Sequence, residues 1–509
     1  MKTQKIFLLT FAFLALTLFF YDKNNEDLIF KSDFYLQDDN LSELPSSFEV
    51  SGDVDFLTPS FNPKINRYLL NSNNHNQSYE FKFSVDDNYE ILSGKTLSIE
   101  NDKFEEYIIE IENTSSKQKY FFTIVTSNKY FPNYDIKIGS LSDISKGYVY
   151  TTFKNFRNFT FLEALTLISE FSYSEFSRWL QARGNTPGGP VFEQTQKFLN
   201  NKNAKSNALI LDRHGVPLVV IQGNLSYADF KYLDGLGNVL GVYGIPPARG
   251  VLVGKYKVYD DEFNLTSEIT WDESSYLDVH DLDFDQKSNR VLKIGYSQYL
   301  PGISTITNTI WSASFVIEDD LNVTQEWDAF LNFPLGASDD SHVDNPNWDV
   351  FHINSAKLYG DNTLVSLRHT NSVSMVNNNG EIEWTLANNE LINDFQIIGD
   401  PFDIFFGQHD AQMLDEKTLT IFDNQNNQEK VARGVVYSLD FENKQAIFQK
   451  HYLLNEHALC CGSFQILENG SILSGGSEGT IYEFTNKNAE ENLKIEIGGI
   501  VYRAIQQQR

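Results

Sequence analysis

His409-Asp-Ala-Gln-Met413 passes through a turn at 415–417 into Leu419-Thr-Ile-Phe-Asp423, and the same hairpin recurs along the second half of the chain. His280-Asp-Leu-Asp-Phe284 turns at 285–288 into Arg290-Val-Leu-Lys-Ile294. His352-Ile-Asn-Ser-Ala356 turns at 360–362 into Leu364-Val-Ser-Leu-Arg368, and Gly462-Ser-Phe-Gln-Ile466 turns at 468–470 into Ile472-Leu-Ser-Gly-Gly476. Between them runs a second element, a strand and turn ending in an aromatic residue, at Trp271, Trp327, Trp384 and Phe448. The hairpin starts at 280, 352, 409 and 462 lie 72, 57 and 53 residues apart. Four strands in about 50 residues is the period of a β-propeller blade, lengthened here by insertions at 336–348 and 402–407. Flanking copies at 207–243 and 480–506 bring the expected number of blades to six. A solenoid is the alternative, but acidic insertions of variable length on one face suit a propeller better.

The rest of the chain agrees with an all-β protein. Forty Phe and 25 Tyr against three Met, with many Thr, Ile and Val, favour strands over helices. From 45 to 128 short alternating strands such as Tyr79-Glu-Phe-Lys-Phe-Ser-Val85 predict a small β-sandwich. Residues 129–206 form a connector, partly helical, because Leu162, Leu165, Ile168 and Trp179 recur at helical spacing before the loop at Pro187-Gly-Gly-Pro190. Residues 207–506 are the propeller. The acidic, Asp- and Asn-rich stretch 22–44 is a tether. Met1-Lys-Thr-Gln-Lys5 and the apolar run 6–21 form a signal peptide or a signal anchor at 1–21. That run spans about 24 Å as a helix, short of the ~30 Å hydrocarbon core. Export to the periplasm or cell surface is therefore expected, with a membrane tether open as an alternative to release.

The acidic groups outnumber the basic ones by 69 to 40, a net charge of −29. Such a field repels phosphate backbones, so no nucleic-acid partner is expected. It also opposes anionic substrates, so an anion site must be built from local cations. Cys460 and Cys461 are the two cysteines, and they are adjacent, which excludes a disulfide framework and the common zinc modules. They are expected to be half-buried thiols on a strand.

Equivalent hairpin starts in a propeller converge on the axis, so His280, His352 and His409 should meet there. Pairing across the turn at 360–361 brings Arg368 or His369 opposite His352, and Asn354 shares the His352 face by the two-residue period of a strand. On chemistry alone two readings remain. Three imidazoles with Asp281 or Asp410 could hold a divalent metal, or imidazoles with an arginine could hold a tetrahedral oxyanion. The fixed charge of Arg368 favours the anion, and no metal or cofactor is assigned.

The residues now quoted carry a resemblance. Asn347-Trp-Asp-Val-Phe-His352-Ile-Asn354, Ser366-Leu-Arg368-His369, Gly407-Gln408-His409-Asp410-Ala-Gln412 and Ile421-Phe-Asp-Asn424 resemble the arylsulfotransferase family, in its branch with a Gln-His-Asp-Ala signature, over 207–506. The resemblance implies a six-bladed propeller that moves a sulfuryl group from an aryl sulfate to a phenol without a nucleotide sulfate donor. It implies His409 as the transiently sulfurylated nucleophile, with His352, Arg368 and His280 completing the catalytic set and Asn354, His369 and Gln408 expected at the substrate. Leu57-Thr-Pro-Ser-Phe61-Asn-Pro63 with Arg67-Tyr68 resembles the opening of cadherin-like sandwich modules, which implies no catalysis. A non-catalytic exported adhesion or binding propeller, and a metal-dependent hydrolase, are the competing readings.

Overall fold

The computed structural model describes residues 27–36, 43–70, 77–154, 205–244, 251–271, 276–299, 309–320, 322–338, 347–425, 430–454, 456–458, 460–476, 479–485 and 490–508. The leader, most of the tether and the helical pattern at 161–181 lie outside them. Among the described residues the strands form eight sheets. Six of these are radial, propeller-like sheets. Their inner strands are Ser226–Leu233, Tyr276–Asp285, Ile353–Tyr359, His409–Met413, Ser463–Ile466 and Ile500–Gln507. Each inner strand packs on the next, and the last packs on the first.

Sheet-to-sheet packing is apolar and close. Between two neighbouring sheets, Phe351, Ile353 and Leu367 are buried against Ile294, Tyr296 and Phe315. The ring of Phe464 lies so near Gly434 that a Cβ there would come within 1.9 Å of it, so that site tolerates no side chain.

The ring closes by joining chain segments from both ends. The C-terminal strand Ile500–Gln507 pairs with Tyr148–Lys154, which pairs with Ser206–Leu211 and then Pro217–Gly223. The repeat copy expected at 207–243 is therefore divided. Its first half belongs to this closing sheet, and Ser226–Leu233 opens the next one. Two further readings are corrected here. Leu28–Lys31, assigned to the tether, is an edge strand on Pro217–Gly223. Tyr134–Ile138, assigned to the connector, pairs with Glu491–Ile497 at the edge of another radial sheet. Leu28–Lys31 is a four-residue run and Tyr134–Ile138 a five-residue alternating one, both in polar surroundings and too short to outweigh composition.

The remaining two sheets, of three and five strands, lie within residues 49–125 and enclose one aromatic core that includes Phe48, Tyr68, Phe81, Phe83 and Phe122. The unit is fastened to the closing sheet. Arg67 is buried, donates to the Pro217 carbonyl at 3.0 Å and to Ser32 Oγ at 2.9 Å, and is paired with Glu106.

Candidate functional site

The inner strands do not run straight through the ring. Register shifts mark β-bulges at 228–229, 278–281, 354 and 410–411. A bulge turns a side chain away from the alternation of the strand, and His352 and Asp410 adopt left-handed backbone conformations at φ +51° and +48°. As a result histidines gather in one layer and charged groups in a layer next to it.

In the histidine layer the rings of His280 and His352 are 5.1 Å apart edge to face, and those of His352 and His369 are stacked at 4.8 Å. Arg368 and His369 do not continue the strand. They occupy a 3₁₀ turn in which the Arg368 N–H donates to the His352 carbonyl and the His369 N–H to that of Phe351. The hairpin keeps the expected register from Tyr359↔Asn362 to Ser355↔Ser366 and slips by one at the bulge before Ile353↔Leu367. Both Arg368 and His369 lie at the cluster rather than one of them. Burial, joined by the charges of His369, His280, Arg368 and His409, holds His352 well below the ordinary imidazole range. Burial, then Arg368, does the same to His409. Both rings are neutral in the resting site.

The acceptor behind each ring differs. His280 Nδ1 faces the Asp278 carboxylate, and His352 Nδ1 lies 2.5 Å from Asp349 Oδ2. His369 Nδ1 donates to the Asp349 carbonyl at 2.7 Å. His409 Nδ1, in contrast, donates to the side-chain amide oxygen of Asn424 at 2.7 Å. Its Nε2 accepts the main-chain N–H of Cys461 at 3.1 Å, and Asn424 Nδ2 donates to the Cys461 carbonyl at 2.9 Å. The His409 ring is thus held as the Nδ1–H tautomer with its lone pair on Nε2.

The neighbouring layer is an ionic plug on the axis. Arg503, 2% exposed, reaches Asp281 at 2.9 Å, Asp229 at 3.4 Å and the Asn354 carbonyl at 2.8 Å, with Asp410 at 3.9 Å. Lys231 and Lys357 also bind Asp281, at 2.7 and 2.9 Å. Three cations thus face three carboxylates. Burial alone would raise the Asp281 carboxyl, but Arg503, Lys231 and Lys357 hold it far below its usual range. Asp281 and Asp410, read from sequence as candidate metal ligands, are therefore occupied by the plug.

The Asn354 side chain gives one N–H to the Gln408 carbonyl at 2.6 Å. Gln408 is fully buried and donates to Ser366 Oγ and to the carbonyls of Leu367 and Ser372, acting as a strut between strands. The sequence reading missed Asp278, Asp349 and Arg503. The first two stand two and three residues before their histidines, a spacing that was the available signal. Cys460 and Cys461 are half-buried, but they lie in the turn before Ser463–Ile466 and not on a strand.

Asp349, His352 and His369 place three ligand atoms within 4.8 Å of one another, a set able to hold a divalent cation.

Residues 266–496 match a family model described as arylsulfotransferase (ASST). The match covers the sheets that carry His280, His352, Arg368 and His409. No curated protein matches the chain. A solved structure, the WD40 β-propeller domain of Doa1, is similar at 12% identity over 54% of this chain and 85% of its own, with a TM-score of 0.30.

Proposed function

We propose that the chain transfers a sulfuryl group from an aryl sulfate to a phenol through a sulfohistidine at His409. The observation that carries this reading is the contrast behind the rings: carboxylates at His280 and His352, a neutral amide at His409. A carboxylate stabilises an imidazolium, so the first two rings can take up a proton when an anion enters. An amide does not, so His409 stays neutral with Nε2 as nucleophile.

The reaction follows from those roles. An aryl sulfate anion lies against Arg368, and its charge offsets the cost of an imidazolium at His352 or His280. The His409 Nε2 lone pair attacks sulfur once the Cys461 N–H has left it. The N–S bond forms, the S–O(aryl) bond breaks, and the departing phenolate takes the imidazolium proton. A phenol acceptor then returns its proton to that neutral ring as its oxygen attacks sulfur, and the S–N bond breaks to restore His409. No group beyond donor and acceptor is consumed.

The test is incubation with an aryl sulfate and a phenol, followed by intact mass. The expected result is product sulfate ester and a sulfuryl adduct absent from His409→Ala. No transfer and no adduct overturns the reading.

In the same reading the six radial sheets are the blades of a six-bladed propeller, and the unit at 45–128 is a cadherin-like β-sandwich, supported by its two sheets around one core. The basic start and apolar run of the leader support export to the periplasm or cell surface. A second reading, metal-dependent hydrolysis, is favoured by the Asp349, His352 and His369 set alone. A stoichiometric divalent ion in purified protein that is lost in His369→Ala would support it over sulfuryl transfer.

A further inference from the structure

The nitrogen assigned to attack sulfur is capped by a peptide group that joins two cysteines. The N–H on His409 Nε2 belongs to the amide between Cys460 and Cys461, and the two Sγ atoms are 2.7 Å apart. Cys461 adopts a left-handed conformation at φ +63°, and Gly462 follows at φ +108°. Gly462 is pinned, because its N–H donates to the Tyr502 carbonyl at 2.8 Å and a Cβ would meet the Phe422 ring at 2.2 Å. The C-terminal side of the pair is therefore fixed, and a change within the pair must be taken up by the Cys460–Cys461 peptide.

We propose that Cys460 and Cys461 are a thiol–disulfide switch that uncaps His409 Nε2. A disulfide between adjacent cysteines closes a small ring through their own peptide bond, with the Cα atoms held at no more than about 3.8 Å. That is short of the ~4.4–6.8 Å of an ordinary disulfide, so the ring strain falls on that peptide. A bridge between adjacent cysteines cannot leave that peptide in its resting geometry. The amide it must twist is the one whose N–H sits on Nε2, so closing the bridge withdraws the cap. The oxidant is a disulfide of the exchange type, on a small molecule or on a protein. One thiolate attacks it and releases a thiol, and the second displaces the mixed disulfide. The Cys460–Cys461 S–S bond forms, the oxidant is reduced to two thiols, and these take the two cysteine protons.

The inference rests on His409 as the reacting nitrogen, and its test runs without any sulfate donor. The full chain is treated with oxidised glutathione or with a reductant, and each form is weighed and then exposed to diethyl pyrocarbonate. Acylation at His409 is followed by peptide mass. Oxidation should remove two hydrogens from the chain and raise the His409 rate about five- to tenfold, the factor that one hydrogen bond to Nε2 represents. Cys460→Ser, which leaves the Cys461 main chain in place, should show neither change on oxidation. Failure of the bridge to form, or equal His409 rates in the two forms, overturns the switch. A faster oxidised form, in a protein that separately gives no sulfuryl adduct on incubation with an aryl sulfate, leaves the switch standing and removes sulfuryl transfer.

Discussion

Asn424 sets its amide oxygen 2.7 Å from His409 Nδ1, where Asp349 sets a carboxylate oxygen 2.5 Å from the same atom of His352. One atom, nitrogen or oxygen, separates an asparagine from an aspartate, and in the proposed reaction it divides a nucleophile from a proton carrier. Asn424→Asp should raise the His409 pKa, since a carboxylate favours the imidazolium. The ring must be neutral to attack, so the acid limb of the transfer rate should move to higher pH by the same amount. An unmoved pH–rate profile would show that the amide is not what keeps His409 neutral.

Asp349→Asn should have the opposite character. It leaves the His352 ring in place and takes away the charge that supports its imidazolium. Transfer should fall by about 10²–10⁴, the range of general acid–base assistance. The loss should be smaller for an aryl sulfate whose phenol is strongly acidic, because that leaving group needs little protonation. Equal losses for acidic and weakly acidic leaving phenols would place Asp349 outside proton transfer.

The plug makes a stability claim. Arg503→Met leaves Asp229, Asp281 and Asp410 buried with only Lys231 and Lys357 against them. Removing one partner of a buried charge cluster costs about 3–5 kcal/mol. Urea unfolding should register a loss of that size. Lys357→Met should cost less, since that side chain is partly exposed and Arg503 and Lys231 remain on Asp281. Comparable losses in the two variants would contradict an axial role for Arg503.

Glu456 lies on the loop that leads to Cys461, with its carboxyl buried against Gly476, and burial pushes its pKa to about 7. An acid whose folded pKa is raised stabilises the fold below its unfolded pKa, and that contribution is lost as pH rises through the folded value. Between about pH 4.5 and 7 the carboxyl should therefore withdraw about 3 kcal/mol of stability. Glu456→Gln should lack this component, so the gap between variant and wild type should widen in the variant's favour as pH rises. A constant gap from pH 4.5 to 8 would rule out titration at this residue.

Periodicity made the radial sheets and the meeting of His280, His352 and His409 legible, because hairpins at repeat-equivalent positions share one geometry. What broke the period was hidden. Asp278 shares the His280 face by the two-residue period, but the bulge at 278–281 that turns its carboxylate back onto the His280 N–H and ring is not written in that alternation. Arg368 was foreseen through the hairpin, but the turn that also swings His369 into the cluster is a local 3₁₀ departure. Gln408 sits beside His409 in sequence and faces away from it, as neighbours on a strand do. Arg503 carried no signal, since its three aspartates lie on strands far away in the chain and only ring closure joins them.

The strand that carries Arg503 is made after the three strands whose aspartates it faces. Synthesis delivers Asp229, Asp281 and Asp410 to the axis first, and until residues 500–507 emerge the middle of the ring holds three acids and two lysines. The same late strand must find Tyr148–Lys154, made some 350 residues earlier. A nascent chain halted before its final turn would thus be an open arc with an unneutralised centre and a bare strand edge, exposed to self-association. Arrival of the strand that carries Arg503 closes both gaps in a single step, so a chain cut before residue 500 should go to quality control rather than fold with reduced stability.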